Sequence, residues 1–295
     1  MNIDTSYYYS MIFPSAELSK WFPSIKDRLI RYMVEGGDWR NLHITSQNSF
    51  KSTVVTLSSK IQRMDIGSVL SGREKNAQSN EAGTSSTVDV YTKYSWRELV
   101  FDCDLSDYDN IREKHCACSG KKTCCDSCWV LAYVAMKCIE YVIHSECGYS
   151  DYFVVFSGRR GAHFWVHDKN ACKLSAKTRS ALIKRITSVA DAPDSSPIRK
   201  EFTKIVTENV PLEWLEACPD VTLFFPRLDV DVTTKMEHLI KIPFSIHPDT
   251  SNISIPMTVD ATKTFLPSDA PNLKNPALSE MISYGLSCMN KAKSK

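Results

Sequence analysis

The sequence feature that most constrains the fold is a polar turn between two apolar runs. The runs Tyr152–Phe156 and Phe164–Val166 are rich in aromatic and β-branched residues, which favour strands. The segment Ser157–His163 separates them and contains Gly158 and Gly161, which permit a tight backbone path. The pattern predicts two strands joined by this short segment.

The side chains of the segment 157–163, which we call the phosphate turn, indicate a chemistry. They include a hydroxyl, two guanidinium groups and an imidazole, all of which can donate hydrogen bonds to an anion. Arginine does so as a bidentate fork. The turn is typical of a phosphate site, with a triphosphate as the obvious ligand. The alternative is an exposed hairpin tip with two solvated arginines.

Composition sets wide limits on the function. The 295 residues suffice for one or two domains with a full core, and the net charge of +2 neither indicates nor excludes a nucleic-acid partner. No window approaches the roughly 20 apolar residues of a membrane span, and the N-terminus lacks a secretory signal, so we expect an intracellular protein. Strands and helices alternate without a strict βαβ pattern, which predicts an α+β fold.

The remaining predicted elements follow from local patterns. Apolar spacing and capping residues predict helices around 15–18, 129–145, 175–183 (with Ser175 as N-cap) and 275–293. The polar segment 74–87 is predicted to be a mobile surface loop. Strand-like runs cover 39–44, 52–57, 64–69, 98–104, 221–232 and parts of 243–256.

Two pairs of aspartates indicate a cation site. Asp102 and Asp104 are two apart on a predicted strand, so both side chains point to one face. Asp229 and Asp231 form a similar pair at the end of another predicted strand. If the two strands are neighbours, three carboxylates gather at one spot, as two-metal phosphoryl transfer requires. The competing calcium-loop reading of 102–113 lacks the glycine at its sixth position, where Asp107 stands.

Five of the eleven cysteines fall within a short segment and predict a structural zinc site. Cys125 and Cys128 form a C-x₂-C knuckle, and Cys116 and Cys118 precede it. Four thiolates close a tetrahedral site without an open position, so its role is folding. His115 and Cys124 compete with the first pair as ligands. The alternative is a group of buried or redox-active thiols.

These motifs, in this order, resemble those of the small catalytic subunit of eukaryotic DNA primase, in the archaeo-eukaryotic primase superfamily. The resemblance runs intermittently from the aromatic start near residue 7 to about residue 260. The matching segments are 64–69, 98–104 with 107–109, 125–129, 157–166, 225–229 and 243–248.

The resemblance implies one catalytic domain over 1–295. Its fold would be a prim-type core, a mixed or antiparallel sheet flanked by helices. A small zinc-binding subdomain at 112–130 and a reduced helical insertion at 175–220 would complete it. The zinc ligands would be Cys116, Cys118, Cys125 and Cys128.

The resemblance also implies a site. Asp102, Asp104 and Asp229 would be catalytic and hold two Mg²⁺ or Mn²⁺ ions. Arg63 and Asp65 would contact the nucleotide, with Asp65 at a ribose hydroxyl. The phosphates and sugar would be bound by Ser157, Arg159, Arg160, His163, Lys241 and His247.

The implied function is a primase, a DNA-dependent RNA polymerase that makes short RNA primers from NTPs on single-stranded DNA. Implied partners are a large primase subunit, which would carry the iron–sulfur cluster, and the DNA polymerase α complex, in the nucleus. The alternatives are a repair-type primase–polymerase that uses dNTPs and a non-enzymatic zinc-stabilised replication scaffold. Two positions depart from the family. The Arg-Glu pair of the family reads Arg40-Asn41 here, so Asn41 replaces the glutamate, and Lys51 stands where an arginine is expected.

Overall fold

The computed structural model describes residues 4–44, 47–79, 85–121, 123–274 and 278–292. The predicted α+β class is confirmed: two antiparallel sheets are flanked by helices. Among the described residues, no helix has the length and apolar composition of a membrane span. The strands are, in chain order, β1 (Arg28–Met33), β2 (Trp39–Asn41), β3 (Arg63–Ser79), β4 (Ser85–Trp96), β5 (Leu99–Asp104), β6 (Tyr152–Phe156), β7 (Gly161–Val166), β8 (Ile240–Lys241) and β9 (Pro256–Met257).

The helices follow the same order. Short 3₁₀ turns cover Ile25–Asp27, Leu105–Tyr108, Val189–Asp191, Val221–Phe224 and Pro267–Asp269, and π-helical segments cover Tyr8–Ile12 and Tyr141–Glu146. The α-helices are α1 (Thr5–Tyr7), α2 (Ser15–Trp21), α3 (Phe50–Leu57), α4 (Asp109–His115), α5 (Trp129–Glu140), α6 (Lys169–Cys172), α7 (Ala176–Thr187), α8 (Pro197–Asn209), α9 (Leu212–Ala217), α10 (Val230–Thr234), α11 (Val259–Thr264) and α12 (Leu278–Ala292).

The two sheets divide the functional side chains between them. The first sheet has the order β2-β1-β3-β4, with β8 also pairing with β3. The second sheet has the order β5-β7-β6-β9. The hairpin β6–β7 is the one predicted around the phosphate turn, with Phe156 opposite Ala162. Strand β5 pairs with β7, so the end of the carboxylate strand lies beside that turn.

The core lies between the second sheet and helix α5. Residues of β7 are buried throughout, and nearly all of α5 is buried as well. Trp129, at the start of α5, packs edge-on against Phe156 and donates its indole N–H to the carbonyl of Thr262 at 3.0 Å. Burial of such a large apolar side chain stabilises the fold by roughly 1.5–3 kcal/mol. The core therefore fixes the second sheet on which the carboxylates stand.

A buried ion pair joins the two sheets. Arg28, on β1, donates to both oxygens of Glu98, immediately before β5, at 2.9 and 2.7 Å. Arg179 of α7 donates to the carbonyl oxygens of Glu98 and Arg97 at 3.0 and 2.7 Å. Burial acts to raise the pKa of Glu98, but the charge and hydrogen bonds of Arg28 outweigh it and lower the pKa. This pair therefore links β1 of the first sheet to the start of β5 in the second.

Three predictions of local structure were wrong: the strand at 52–57, the loop at 74–87 and the strand at 221–232. The β-branched run 52–57 forms helix α3 instead. The Ser49 side chain caps this helix by accepting from the N–H of Ser52 (3.1 Å), and Phe50 and Val54, four residues apart, are both buried. Helical spacing and a cap outweigh β propensity here. The third error, a strand over 221–232, bears on the site and is described below.

The segment 74–87 was predicted as a loop, but its described residues, 74–79 and 85–87, extend strands β3 and β4. Its residues pair across the hairpin, with Ala77 opposite Thr87. Residues 80–84 lie outside the described residues. The two arms satisfy each other's backbone hydrogen bonds, so the strands form without large apolar side chains. The predicted insertion at 175–220 contains α7, α8 and α9.

Candidate active site

Strand β5 ends in two carboxylates beside the phosphate turn. Asp102 lies directly opposite His163 of β7, and Asp104 lies opposite Gly161. His163 Nε2 is 3.5 Å from Asp102 Oδ1. Asp104 Oδ1 accepts a hydrogen bond from Arg160 Nε at 2.7 Å. The i, i+2 spacing that predicted a shared face thus brings both carboxylates next to the turn.

Asp229 comes from the start of a helix, not from the predicted strand. A 3₁₀ turn occupies Val221–Phe224, and α10 begins at Val230. The Asp229 side chain caps α10 by accepting from the N–H groups of Asp231 (2.8 Å) and Val232 (3.2 Å). Its own N–H donates to the carbonyl oxygen of Asp102 at 3.0 Å. The third carboxylate is therefore held beside the first by the backbone.

The other aspartate of that pair belongs to the helix surface. Asp231 Oδ2 lies 2.6 Å from Lys235 Nζ, one turn further along α10, and its side chain is about half exposed (52%). A surface pair of this kind contributes little to stability. Asp231 thus offers a matched control for Asp229.

Burial and two neighbouring carboxylates act on Asp102. Burial, Asp104 and Asp229, in that order, raise the pKa of Asp102 to about 7. Burial also acts to raise the pKa of Asp104, but the hydrogen bond from Arg160 outweighs it and the pKa is lowered. Carboxylate oxygens are the ligands that hard divalent cations prefer. Asp102, Asp104 and Asp229 are close enough to interact electrostatically and supply oxygen ligands of this type.

The phosphate turn is a closed loop with its polar groups held in place. The Ser157 N–H donates to the carbonyl oxygen of Gly161 (2.8 Å), and the Ser157 hydroxyl accepts from the Gly161 N–H (3.0 Å). Gly158 has φ of +91°, which a residue with a side chain rarely adopts. Its carbonyl oxygen accepts from the Thr250 hydroxyl at 2.7 Å. The turn is preorganised before any ligand binds.

Lys241 and His247 both reach this turn. Lys241 Nζ donates to the Ser157 carbonyl oxygen at 2.7 Å. Burial, reinforced by Arg63, lowers the pKa of Lys241 well below its usual value. His247 is so close to Gly158 that a Cβ added there would lie 2.8 Å from the His247 Cβ. These contacts join the phosphate turn to residues 241–247, which are distant from it in the chain.

Both histidines of the cleft are neutral at neutral pH. Burial, Lys241 and Arg63 lower the pKa of His163 to about 3. Burial, Lys241 and Arg159 lower the pKa of His247 to about 3 as well. Among the described residues, the buried His163 Nδ1 has no hydrogen-bond partner. A neutral imidazole can donate or accept one hydrogen bond at each nitrogen according to its tautomer.

Arg63 and Asp65 stand on the opposite wall, in the first sheet. Arg63 Nε and Nη2 donate to the two oxygens of Asp65 at 2.7 and 2.8 Å. Asp65 is directly opposite Lys241 in the pairing of β3 with β8. Because Lys241 donates to Ser157, this part of the first sheet lies next to the phosphate turn.

Each arginine of the predicted site is paired with a carboxylate. Besides Arg160 with Asp104, Arg159 Nη1 lies 2.9 Å from Asp249 Oδ2. Sequence reasoning missed Asp249 and Thr250 as partners of the turn. The turn 247–252 was predicted from its composition, but nothing in the sequence indicates which segment it contacts. An anionic ligand at the turn would exchange these contacts for its own.

Of the alternative first ligands, Cys116 and Cys118 are the pair that the structure groups with Cys125 and Cys128. The sulfur atoms of Cys116, Cys118, Cys125 and Cys128 all lie within 4.8 Å of one another. His115 instead stacks on Trp214, with ring centroids 4.4 Å apart. The Cys124 thiol donates to the carbonyl oxygen of Arg159 at 3.3 Å. Four thiolates at this spacing fit a tetrahedral structural metal.

A buried arginine supports the cluster. Arg112 donates to the sulfur of Cys118 (3.3 Å) and to the carbonyl oxygens of Cys118 (3.0 Å) and Thr123 (3.1 Å). Burial acts to raise the pKa of the Cys118 thiol, but Arg112 and neighbouring thiols outweigh it and lower the pKa to about 7. Such outer contacts orient metal ligands.

The two positions that depart from the family lie in different places. Asn41 is exposed on β2, directly opposite Arg31 of β1. Lys51 is exposed in the first turn of α3.

Comparison with solved structures places the fold among polymerase domains. The chain is similar to the polymerase domain of Mycobacterium tuberculosis Ligase D, solved in complex with DNA, with a TM-score of 0.52 and 13% identity. The similarity covers 99% of this chain and 92% of the other. The likeness shows a shared fold.

Sequence comparison identifies the family. The family model described as DNA primase small subunit matches residues 101–259, and the chain belongs to this family. The chain is 26% identical to the DNA primase small subunit of Saccharomyces cerevisiae, over 92% of this chain and 83% of that protein. It is 23% identical to that of Schizosaccharomyces pombe, over 91% and 75%. Family and fold together define a nucleotidyltransferase of the primase type.

Proposed function

We propose that this enzyme makes short RNA primers on single-stranded DNA by two-metal nucleotidyl transfer. The observation that carries the proposal is the convergence of Asp102, Asp104 and Asp229 beside the phosphate turn. One side of the cleft then offers ligands for cations, and the other offers donors for a triphosphate. The DNA-bound polymerase domain and the primase relatives support a nucleic-acid template.

In this proposal, Asp102, Asp104 and Asp229 hold two Mg²⁺ or Mn²⁺ ions. When bound, these ions activate the attacking 3′-hydroxyl and stabilise the leaving pyrophosphate. The protein's own contribution is to position the reactants and to neutralise their charge.

The phosphate turn provides that neutralisation. Arg159 and Arg160 exchange their carboxylate partners for phosphate oxygens, which accept bidentate hydrogen bonds from guanidinium groups. Lys241 is a buried amine whose charged form the triphosphate would stabilise, and Ser157 and His247 complete the contacts. His163 donates one hydrogen bond as a neutral imidazole. Asp65, oriented by Arg63, accepts from a ribose hydroxyl.

The cysteine cluster and the partners complete the proposal. Cys116, Cys118, Cys125 and Cys128 bind a structural zinc ion, within the subdomain 112–130. A large primase subunit and the DNA polymerase α complex, in the nucleus, are the proposed partners. The segment 175–220 is the proposed short insertion.

A substitution at Asp229 with a matched control tests the proposal. Asn retains the cap on α10, since it is as good an N-cap as Asp. We expect Asp229→Asn to lower NTP incorporation on single-stranded DNA by about 100-fold or more, a loss of roughly 3 kcal/mol of transition-state stabilisation. Asp231→Asn, on the same helix, should stay within about twofold of wild type, since its carboxylate pairs with Lys235 on the surface.

The assay measures de novo synthesis with Mg²⁺ or Mn²⁺, with and without a large subunit. Unchanged incorporation by Asp229→Asn would refute the assignment. Parallel reactions with dNTPs distinguish the RNA primase from the repair-type enzyme. Preference for dNTPs on DNA ends would support the latter.

A further inference from the structure

A cationic surface continues from the nucleotide cleft along the first sheet. Arg31 of β1 lies directly opposite Asp65 of β3 and Asn41 of β2. Met33, two residues further along β1, lies opposite Trp39 and Arg63. Directly opposite residues and residues two apart share a face of a sheet. The face that presents Asp65 therefore also carries Arg31 and Trp39.

Arg31 is a cation without a carboxylate partner among the described residues. Asp65 is its cross-strand neighbour, but both Asp65 oxygens accept from Arg63, at 2.7 and 2.8 Å. The Arg31 Nε is buried and has no hydrogen-bond partner within the part of the chain that the structure describes. A buried donor without an acceptor is unfavourable, and an anion bound at the guanidinium group would supply acceptors. This distinguishes Arg31 from Arg63, Arg159 and Arg160, each of which has a carboxylate partner.

An aromatic ring lies next to this cation. The Trp39 ring centroid is 5.9 Å from the guanidinium carbon of Arg31 and 5.4 Å from that of Arg63. Trp39 is half-buried, so part of the ring is open to a ligand. An indole with guanidinium groups beside it is the combination that binds nucleotide units, through stacking and phosphate contacts.

We propose that Arg31 and Trp39 bind a second nucleotide unit beside the incoming one. Its phosphate contacts Arg31, and its base packs against Trp39. The inference rests on the proposed function and adds a second subsite to it, which synthesis without a primer requires. The unit belongs either to a free initiating NTP or to a nucleic-acid strand, since both present a base and a phosphate.

Arg31→Gln tests the inference, with Arg40→Gln as the matched control. Arg40 lies on β2 opposite Tyr32, on the other face of the sheet, and its side chain is 61% exposed. Both variants remove one positive charge. Trp39→Leu and Trp39→Phe form a second pair, in which phenylalanine keeps an aromatic ring and should restore part of the lost binding.

Two assays distinguish a nucleic-acid strand from a free initiating NTP as the source of the second nucleotide unit. If the unit belongs to a strand, Arg31→Gln weakens binding of a fluorescent oligothymidylate about 3- to 10-fold, and the slope of log K against log salt concentration falls by about 0.7. If it is an initiating nucleotide, oligothymidylate binding is unchanged, the KM for NTP in de novo synthesis rises about 3- to 10-fold, and extension of a preformed primer is unaffected.

Either pattern supports the subsite. Arg31→Gln equal to Arg40→Gln in both assays, in an enzyme that incorporates NTPs, would overturn this inference and leave the proposed function standing. Failure of the wild-type enzyme to incorporate any nucleotide would overturn the proposed function instead.

Discussion

Substitution of Gly158 tests whether the geometry of the phosphate turn sets nucleotide affinity. Gly158 has φ of +91°, and an alanine Cβ would lie 2.8 Å from the Cβ of His247 and 3.3 Å from the carbonyl oxygen of Asn252. Neither atom is the end of a flexible side chain, so the turn and the segment 247–252 must separate. Gly158→Ala should therefore move the turn away from His247 as well as strain its backbone.

Gly36→Ala is the matched control, because it introduces backbone strain without steric crowding. It has φ of +88°, and an added Cβ there would meet nothing within 4 Å. Gly36→Ala thus costs only the left-handed conformation, about 1–2 kcal/mol. Gly158→Ala adds crowding of about 1–3 kcal/mol. If separation of the turn relieves the crowding, that energy is lost from nucleotide binding instead of from folding.

The assay is equilibrium binding of NTP with Mn²⁺, together with thermal unfolding. We expect Gly158→Ala to bind NTP about tenfold more weakly or worse, since 1.4 kcal/mol corresponds to a factor of ten. Gly36→Ala should retain wild-type affinity and lose roughly 2–4 °C in Tm. A folded Gly158→Ala variant with wild-type affinity would refute the assigned role of the turn.

Three further predictions concern the metal site, the fold and pH. Cys128→Ser should lose the bound zinc measured by elemental analysis, whereas Cys147→Ser should retain it; equal zinc content would argue against the cluster. Arg28→Met should destabilise the fold by about 3–5 kcal/mol in urea unfolding, because Glu98 stays buried without its partner, and Arg28→Met with Glu98→Met should recover much of this. No recovery would contradict that reason. The pKa of His247 is about 3 in the folded state and near 6.5, the ordinary histidine value, in the unfolded state. Between these two pH values the unfolded state binds more protons, so the free energy of unfolding falls as the pH drops through this range. His247→Gln should reduce that slope by about 1.4 kcal/mol per pH unit, and an unchanged slope would contradict the lowered pKa.

Features determined by short-range patterns were predictable from the sequence. The strands on either side of the phosphate turn, the helix beginning at Trp129 and the cap at Ser175 all depend on residues close together in the chain. The Ser175 side chain accepts from the Thr178 N–H at 3.2 Å, as its position before an apolar-periodic segment indicated. The ordered motifs also identified the family, which a single motif would not have done.

The errors arose where two local signals compete. Around Asp229, the apolar run 221–225 resembles a strand, but the capping side chains of Asp220 and Asp229 start a 3₁₀ turn and a helix instead. The expectation that Asp229 would join Asp102 rested on neighbouring strands. The structure achieves it by a different route, a backbone hydrogen bond from a helix N-terminus.

Other features depend on tertiary packing and left no signal in the sequence. Cys124 and His115 have the chemistry of zinc ligands, and only the fold turns them to Arg159 and Trp214. The register of β1 against β3 places Arg31 beside Asp65, and a shift of one residue would have moved it to the opposite face. Long-range pairing of this kind cannot be derived from composition.

Joint measurement of Mn²⁺ and nucleotide binding tests the proposed cation site directly. Electron paramagnetic resonance counts bound Mn²⁺, and relaxation of the phosphorus nuclei of a bound NTP reports its proximity to the ion. We expect the wild-type protein to bind Mn²⁺ beside the NTP phosphates, and we expect Asp229→Asn and Asp102→Asn each to weaken this binding, whereas Asp231→Asn should not. Wild-type Mn²⁺ affinity in Asp229→Asn, or bound Mn²⁺ that leaves the phosphorus relaxation unchanged, would rule out the proposed cation site.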